Sequence, residues 1–359
     1  MTSTSRLQVV LLRNMPLVLL VVTFVVFSLL DRRFFDPETL INVARQASYI
    51  GIVAVGMTLV LLTAGIDLSV GSMMYLSAVL IGRLLDHTAV PLWTVPLMAV
   101  LVGGVLGALN ATAVTLLRVI PFIVTLATLT AFRGYALSVS DSREVNYPPE
   151  IADLGSQSVL GVPVPVLVFA LVVLVVHVVL TRTAFGRQVY AVGRDRRAAE
   201  RAGIGVRKVL FAVYVTSGLL AGLGGFVAIS QLGTVVPSFA TGDEFDAIAA
   251  AVLGGASLFG GRGNVWPGTV AGAFLIQLIA VGLVFTQVDI YLTPMVSGAV
   301  IFLAVLLDTL RVRQLERLER RTIRADRVDD DGPGGSPAEG TGARPATGTP
   351  GASGTVRVP

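Results

Sequence analysis

The chain has 359 residues, of which 54% are hydrophobic and 14% charged, with a mean hydropathy of +0.79. Soluble domains carry about 25% charged residues, so this much charge cannot cover a water-exposed surface of this size, and disorder is excluded for most of the chain. The absence of cysteine and the single lysine, Lys208, rule out thiolate chemistry and a Lys-dependent phosphate loop, and the net charge of +4 reads as arginine at helix ends rather than as a nucleic-acid surface.

The pattern predicts an all-α, polytopic membrane protein. A bilayer core of about 30 Å requires about 20 apolar residues per helix. Ten such stretches follow one another, at roughly 14–30, 39–63, 68–85, 92–117, 121–140, 163–181, 209–231, 244–260, 264–286 and 290–308. The first is read as a retained span and not a cleaved signal, because Asp31-Arg32-Arg33-Phe34-Phe35 follows it in place of a small-residue cleavage site. The eighth is short and Gly-rich, which marks it as a candidate broken or re-entrant segment.

Basic residues set the expected orientation. The stretch 182–208 holds Arg182, Arg187, Arg194, Arg196, Arg197, Arg201, Arg207 and Lys208 against Asp195 and Glu200. Arg6 and Arg13 precede the first span, and seven arginines from Arg311 to Arg327 follow the last. Six spans before the internal loop and four after it place all three basic regions, and hence both termini, in the cytoplasm. The opposite loops then carry Asp141, Glu144, Glu150 and Asp153, and later Asp243, Glu244 and Asp246. Residues 1–308 are thus expected to form the transmembrane domain, 309–331 a charged cytoplasmic extension, and 332–359 a disordered tail. That tail has eight Gly and five Pro and almost no large apolar side chains.

The 182–208 loop is longer than a simple connection. Asp195 is a suitable N-cap for a short helix with Ala198, Ala199 and Ala202 on it, and Gly203 is a suitable stop. Such a helix fits either a groove on a soluble partner or the lipid headgroups. Asp67, in Gly65-Ile66-Asp67-Leu68-Ser69-Val70-Gly71, fits either a cap at a turn or a polar group on a pathway, since acids are costly at bilayer depth. Asp67 to Ser72 also echoes Asn264 to Thr269 at an offset of 197 residues, which fits either a transporter repeat or chance. Glycines at 103, 104, 107, 218, 222, 224, 225, 254 and 255 suit close helix packing, and the dense run from Gly254 to Gly263 also suits a hinge. His177, with no nearby acid, is a poor proton-relay candidate.

Several of these segments together resemble a known family. Gly186-Arg187-Gln188-Val189-Tyr190-Ala191-Val192-Gly193, followed by Ala198-Ala199 and Ala202-Gly203-Ile204, resembles the coupling region of bacterial ABC-transporter permeases of the ribose/xylose sugar-importer type. Met57 to Ser72, Pro121 to Leu126 with Arg133-Gly134, and Ala250 to Gly255 with Gly260 to Gly263 and Pro267-Gly268-Thr269 resemble three further signatures of that family, in the expected order. The resemblance covers about residues 38–308. Ala64 departs from it, standing where the pattern more often has Gly.

The resemblance implies a permease subunit, not an enzyme, in the cell (cytoplasmic) membrane, importing a small ribose- or xylose-like sugar. It implies no cofactor on this chain: ATP and Mg would be bound by a separate ABC ATPase. That ATPase would dock at Gly186, Arg187, Tyr190, Gly193, Asp195, Ala198, Ala199, Ala202, Gly203 and Ile204. An extracytoplasmic sugar-binding protein and a second permease chain, identical or different, are the other implied partners. Candidate pathway or gate residues are Asp67, Ser69, Asn110, Thr125, Arg133, Gly254, Gly255 and Asn264. Other polar residues within the spans, Arg45, Thr128, Thr130, Gln231, Gln277 and Gln287, are equally suited to helix–helix hydrogen bonds. The rival class, an ion-gradient-driven secondary transporter, calls for intramembrane acids or histidines; Asp67 is its main candidate.

Overall fold

A computed structural model describes residues 15–286 and a few positions between 292 and 306. The chain divides into two units, Met1–Arg313 and Gln314–Pro359, and every described residue belongs to the first. The expected span at 290–308, the charged extension, the tail, Arg6, Arg13 and Gln287 lie essentially outside the described residues.

The described helices are α1 (Met15–Leu30), α2 (Pro37–Leu62), α3 (Val70–His87), α4 (Val95–Thr115), α5 (Pro121–Ser140), α6 (Pro149–Ser156), α7 (Val164–Arg182), α8 (Ala184–Arg194), α9 (Arg196–Arg201), α10 (Val206–Leu232), α11 (Asp243–Leu253) and α12 (Val270–Phe285). Six helical segments among the described residues are long and apolar enough to cross a membrane: Pro37–Leu62, Leu92–Thr115, Pro121–Ser140, Val164–Arg182, Val206–Leu232 and Val265–Phe285. A polytopic helical membrane protein follows. Pro at the first turn opens α2, α4, α5 and α7, where its missing N–H costs nothing.

α10 is the central strut, and glycines let its neighbours approach backbone to backbone. A Cβ on Gly103 would lie 2.8 Å from Gly222 N, and one on Gly107 would lie 3.0 Å from Gly218 Cα, so α4 runs antiparallel to α10. A Cβ on Gly56 would lie 3.2 Å from Ser217 Cα, and one on Gly224 would lie 2.6 Å from Val53 Cγ2, so α2 is antiparallel to it as well. α3 returns parallel to α10, with Met74 against Gly225.

The expected span at 244–260 is corrected. The helix there is α11, Asp243–Leu253, about 16 Å long at 1.5 Å per residue, too short to cross a bilayer core. Gly255, Gly260, Gly261 and Gly263 all have positive φ and end the helix in a loop. Beyond it, Val265–Thr269 forms a π turn leading into α12. The first turn of α11 packs on the first turn of α3, where Gly71 leaves room for the Ala240 carbonyl and the Glu244 carboxylate.

The two ends of the bundle differ in charge. At one end the two-residue strands β1 (Val145–Asn146) and β4 (Thr234–Val235) pair antiparallel, Val145 opposite Val235. A second small pair, β2 (Ser158–Val159) and β3 (Val162–Pro163), precedes α7. Arg83 forms ion pairs there with Asp86 (3.7 Å) and Asp141 (3.8 Å). The other end carries α8, α9 and their arginines. Inside the bundle, Gln231 donates to the Arg45 carbonyl at 3.0 Å, and Gln277 donates to Gln46 Oε1 at 2.7 Å. Both are helix–helix bonds.

Candidate functional site: a basic platform and a buried polar cluster

The loop after α7 folds into two short helices at a sharp corner. The Thr183 hydroxyl accepts from Gly186 N at 3.2 Å and caps α8. Asp195 Oδ1 accepts from Arg197 N (2.9 Å) and Ala198 N (3.0 Å) and caps α9. Those backbone bonds hold the exposed Asp195 carboxyl below the usual carboxylate range, with help from Arg201 and Arg197. Gly203, at φ +80°, stops α9, and Ile204 N donates to the Ala199 carbonyl.

The platform is bolted to the end of α2. Gly193 lies so close to the Leu62 carbonyl and Gly261 N that no side chain fits there. Gly261 N donates to the Leu62 carbonyl at 2.9 Å. The Tyr190 hydroxyl donates to the Gly263 carbonyl at 2.9 Å, and Arg196 Nη2 donates to the Thr63 carbonyl at 3.2 Å. Three segments far apart in sequence, 62–65, 186–204 and 260–263, thus meet at one end of the bundle.

The expected coupling residues divide into two groups. Gly186, Gly193 and Ala199 are buried, the two glycines against the protein's own backbone, while Tyr190 and Ile204 are half-buried. Arg187, Asp195, Ala198, Ala202 and Gly203 are exposed. The small-residue face expected on 198, 199 and 202 therefore narrows to Ala198 and Ala202. Successive helical residues point about 100° apart, so Ala199 turns inward when Ala198 faces out.

From Leu62 the chain turns back into the bundle. Ala64 takes φ +57° at the bend. Asp67, wholly buried, then accepts from Ser69 N (3.1 Å) and Ser69 Oγ (2.6 Å) on Oδ1, and from Ser217 Oγ (3.0 Å) on Oδ2. Asn110 Nδ2 donates to Ser69 Oγ at 2.8 Å. The Thr125 hydroxyl donates to the Ile66 carbonyl at 3.2 Å. Ser217 stands about 16 Å along α10 from Val206 and about 22 Å from Leu232, which puts this cluster in the middle stretch of a spanning helix. Asp67 is thus both a turn-fixing acceptor and a deep polar group, with Ser69 as the first residue before α3.

Four expected pathway residues, Asp67, Ser69, Asn110 and Thr125, therefore come together, joined by Ser217, which the sequence did not single out. A serine among glycines and leucines has no motif of its own. Arg133 lies elsewhere. It donates to the carbonyls of Pro237 (3.4 Å), Phe239 (3.2 Å) and Ala240 (3.3 Å) and covers the Tyr75 ring at 5.1 Å, which holds the segment leading into α11. Gly254, Gly255 and Asn264 form the α11–α12 turn. Gly254 packs on Gly268, and Asn264 Oδ1 accepts from Gly268 N at 2.8 Å. The Thr58 and Thr269 hydroxyls, 2.7 Å apart, tie that turn to α2. Asp67 accepts from the residue two positions on and Asn264 from the residue four positions on, so the two echoing segments make different turns.

Among the described residues, a bundle of apolar helices with a basic platform at one end defines a multi-pass membrane protein. The comparisons agree. Residues 39–305 match the family described as branched-chain amino acid transport system / permease component. A ribose import permease protein of Haemophilus influenzae is 34% identical over 86% of this chain and 96% of its own length. A ribose import permease protein of Bacillus subtilis is 38% identical over 82% of this chain and 91% of its own. A D-allose transport system permease protein of Escherichia coli is 35% identical over 82% of this chain and 90% of its own. No solved structure matches. The chain belongs to this family of transport-system permease components.

Proposed function

We propose that the chain is the membrane-spanning permease subunit of an ATP-driven, binding-protein-dependent importer of a small sugar, seated in the cytoplasmic membrane with both termini inside and α11 as a half-length segment. The sugar class rests on the relatives, which are named for ribose import and D-allose transport although the family description names branched-chain amino acids. The observation that carries the mechanism is the bolted platform. α8 and α9 present exposed Arg187, Ala198 and Ala202 outward while Gly193, Tyr190 and Arg196 grip the ends of α2 and the Gly260–Gly263 loop.

A separate ABC ATPase binds ATP and Mg and docks on the exposed face. Its movement passes through Arg196 to Thr63 and on to the turn that holds Asp67. It also passes through Gly261 and Tyr190 to the loop between α11 and α12. Asp67, Ser69, Asn110 and Thr125 anchor the returning segment, while Arg133, Gly254, Gly255 and Asn264 set the α11 half-helix that moves. A sugar-binding protein delivers substrate at the acid-bearing end, and a second permease chain supplies the second platform.

The test is reconstitution in proteoliposomes with the cognate ATPase and binding protein. Uptake of ribose or a related monosaccharide that requires ATP and both partners is expected. Uptake driven by an ion gradient without ATPase would overturn the reading.

A further inference from the structure

A cleft of about 650 Å³ opens beside the platform, between the α4–α5 turn, α9 and the start of α10. Arg118, Arg196 and Arg207 reach it, against one acid, Glu200. Arg196 is engaged with the Thr63 carbonyl. Among the described residues, Arg118 and Arg207 form no ion pair. The lining also includes apolar Val114 on α4 and Leu210 on α10.

The turn that carries Arg118 has an unusual composition. Leu116, Leu117 and Ile120 are 66%, 72% and 63% exposed, so a single cation stands among large apolar side chains that no described residue covers. That segment is suited to the boundary where hydrocarbon meets headgroups. Apolar side chains enter the acyl region there, and a long cationic one reaches the phosphate layer. Guanidinium groups bind phosphate bidentately, and basic pockets between spanning helices suit anionic headgroups.

We propose that this cleft binds the headgroup of an anionic phospholipid, with phosphate on Arg118 and Arg207 and the first acyl carbons along Val114 and Leu210. Two features favour lipid over an acidic segment of a soluble partner. The apolar lining continues from the ends of membrane-spanning helices, and the flanking leucines are exposed. Bound there, the lipid bridges the α4–α5 turn to the base of the α10 strut, next to the platform.

The experiment uses the full chain in nanodiscs containing equal phosphatidylglycerol and phosphatidylcholine, extracted gently and examined by native mass spectrometry. Selective retention of phosphatidylglycerol is expected. The Arg118→Ala/Arg207→Ala double variant should retain about thirtyfold less, the effect of removing two cations near a membrane surface. Arg118→Gly is the companion variant. It removes a guanidinium at a residue with φ +57°, where glycine relieves backbone strain, so it folds even if the double variant does not, and it should show about a fivefold loss, one cation's share. Glu200→Gln should raise retention. Excess inorganic phosphate is the competing probe; it should displace little, because it lacks acyl chains. Equal retention of both lipids, unchanged retention in Arg118→Gly, or full displacement by inorganic phosphate would overturn the proposal. So would a variant that keeps its lipid but loses the partner ATPase, since the arginines would then belong to a protein interface.

Discussion

The Ser217 hydroxyl donates to Asp67 Oδ2 at 3.0 Å, joining residues 150 positions apart in sequence. It fastens the segment returning from α2 to the middle of α10, where both groups are buried. The carboxylate collects three hydrogen bonds from Ser69 and Ser217, and Ser69 in turn accepts from Asn110.

Asp67→Ala removes the acceptor and leaves the Ser69 and Ser217 donors buried without it. A loss of roughly 2–4 kcal/mol of stability is expected, since buried donors left unmade cost about 1–3 kcal/mol each. Asp67→Asn keeps one acceptor for Ser69 and offers an N–H to Ser217, so it should lose less. Thermal unfolding in detergent, followed by the loss of monodisperse protein, separates the two. Equal midpoints for Asp67→Ala and the parent protein would remove the cluster's structural role.

Gly193→Val and Ala202→Leu test the two sides of the platform. At Gly193 a side chain meets the Leu62 backbone, so the valine variant should unfold at lower temperature, with overpacking costing about 1–3 kcal/mol. Ala202 is exposed. Ala202→Leu should keep its unfolding midpoint and weaken co-purification with the ATPase. If Ala202→Leu binds the ATPase normally while Gly193→Val is fully stable, the outward and inward faces have been assigned the wrong way round.

Ala64→Gly should stabilise the protein. Ala64 is exposed yet has φ +57°, a conformation costing an L-residue roughly 1 kcal/mol that glycine does not incur. A rise in unfolding midpoint is the expected result, and a fall would mean that the methyl group's contact with Gly260 outweighs the strain.

Gly218→Leu strikes the α4–α10 seam. A Cβ there would lie 2.7 Å from Gly107 Cα and closer still to the Gly103 carbonyl, so the helices must separate. Destabilisation of at least about 3 kcal/mol is expected, at the upper end of overpacking costs, seen as poor recovery of folded protein. Gly134→Ala is the control, because nothing lies within 4 Å of a Cβ at that position.

Spanning helices were legible because they obey one local rule, sustained apolar length, and residues 121–140 fall on their helix without adjustment. Asp195 was legible as a cap for the same reason: its partners are two and three residues away. The short α11 was readable only as a Gly-rich irregularity, because its end depends on positive φ at Gly255 and on close packing against Gly268. Asp67 showed itself as an acid between apolar stretches, but not its partner Ser217, whose selection depends on how α2 and α10 cross. Ala199 was placed on the outer face because composition does not reveal which side of a two-turn helix is covered. The departure at Ala64 is small in size, while the backbone angle there makes it a change of conformational cost.

The glycine seam between α4 and α10 has a mechanical meaning. Two helices that touch through bare backbone have no interposed side chains to rotate, and sliding by even a fraction of a turn would drive Gly103 and Gly218 into one another's carbonyls. The pair is therefore suited to act as a fixed beam. In the transport cycle proposed above, motion that begins at the platform passes this beam to reach the glycine-rich loop at 254–263.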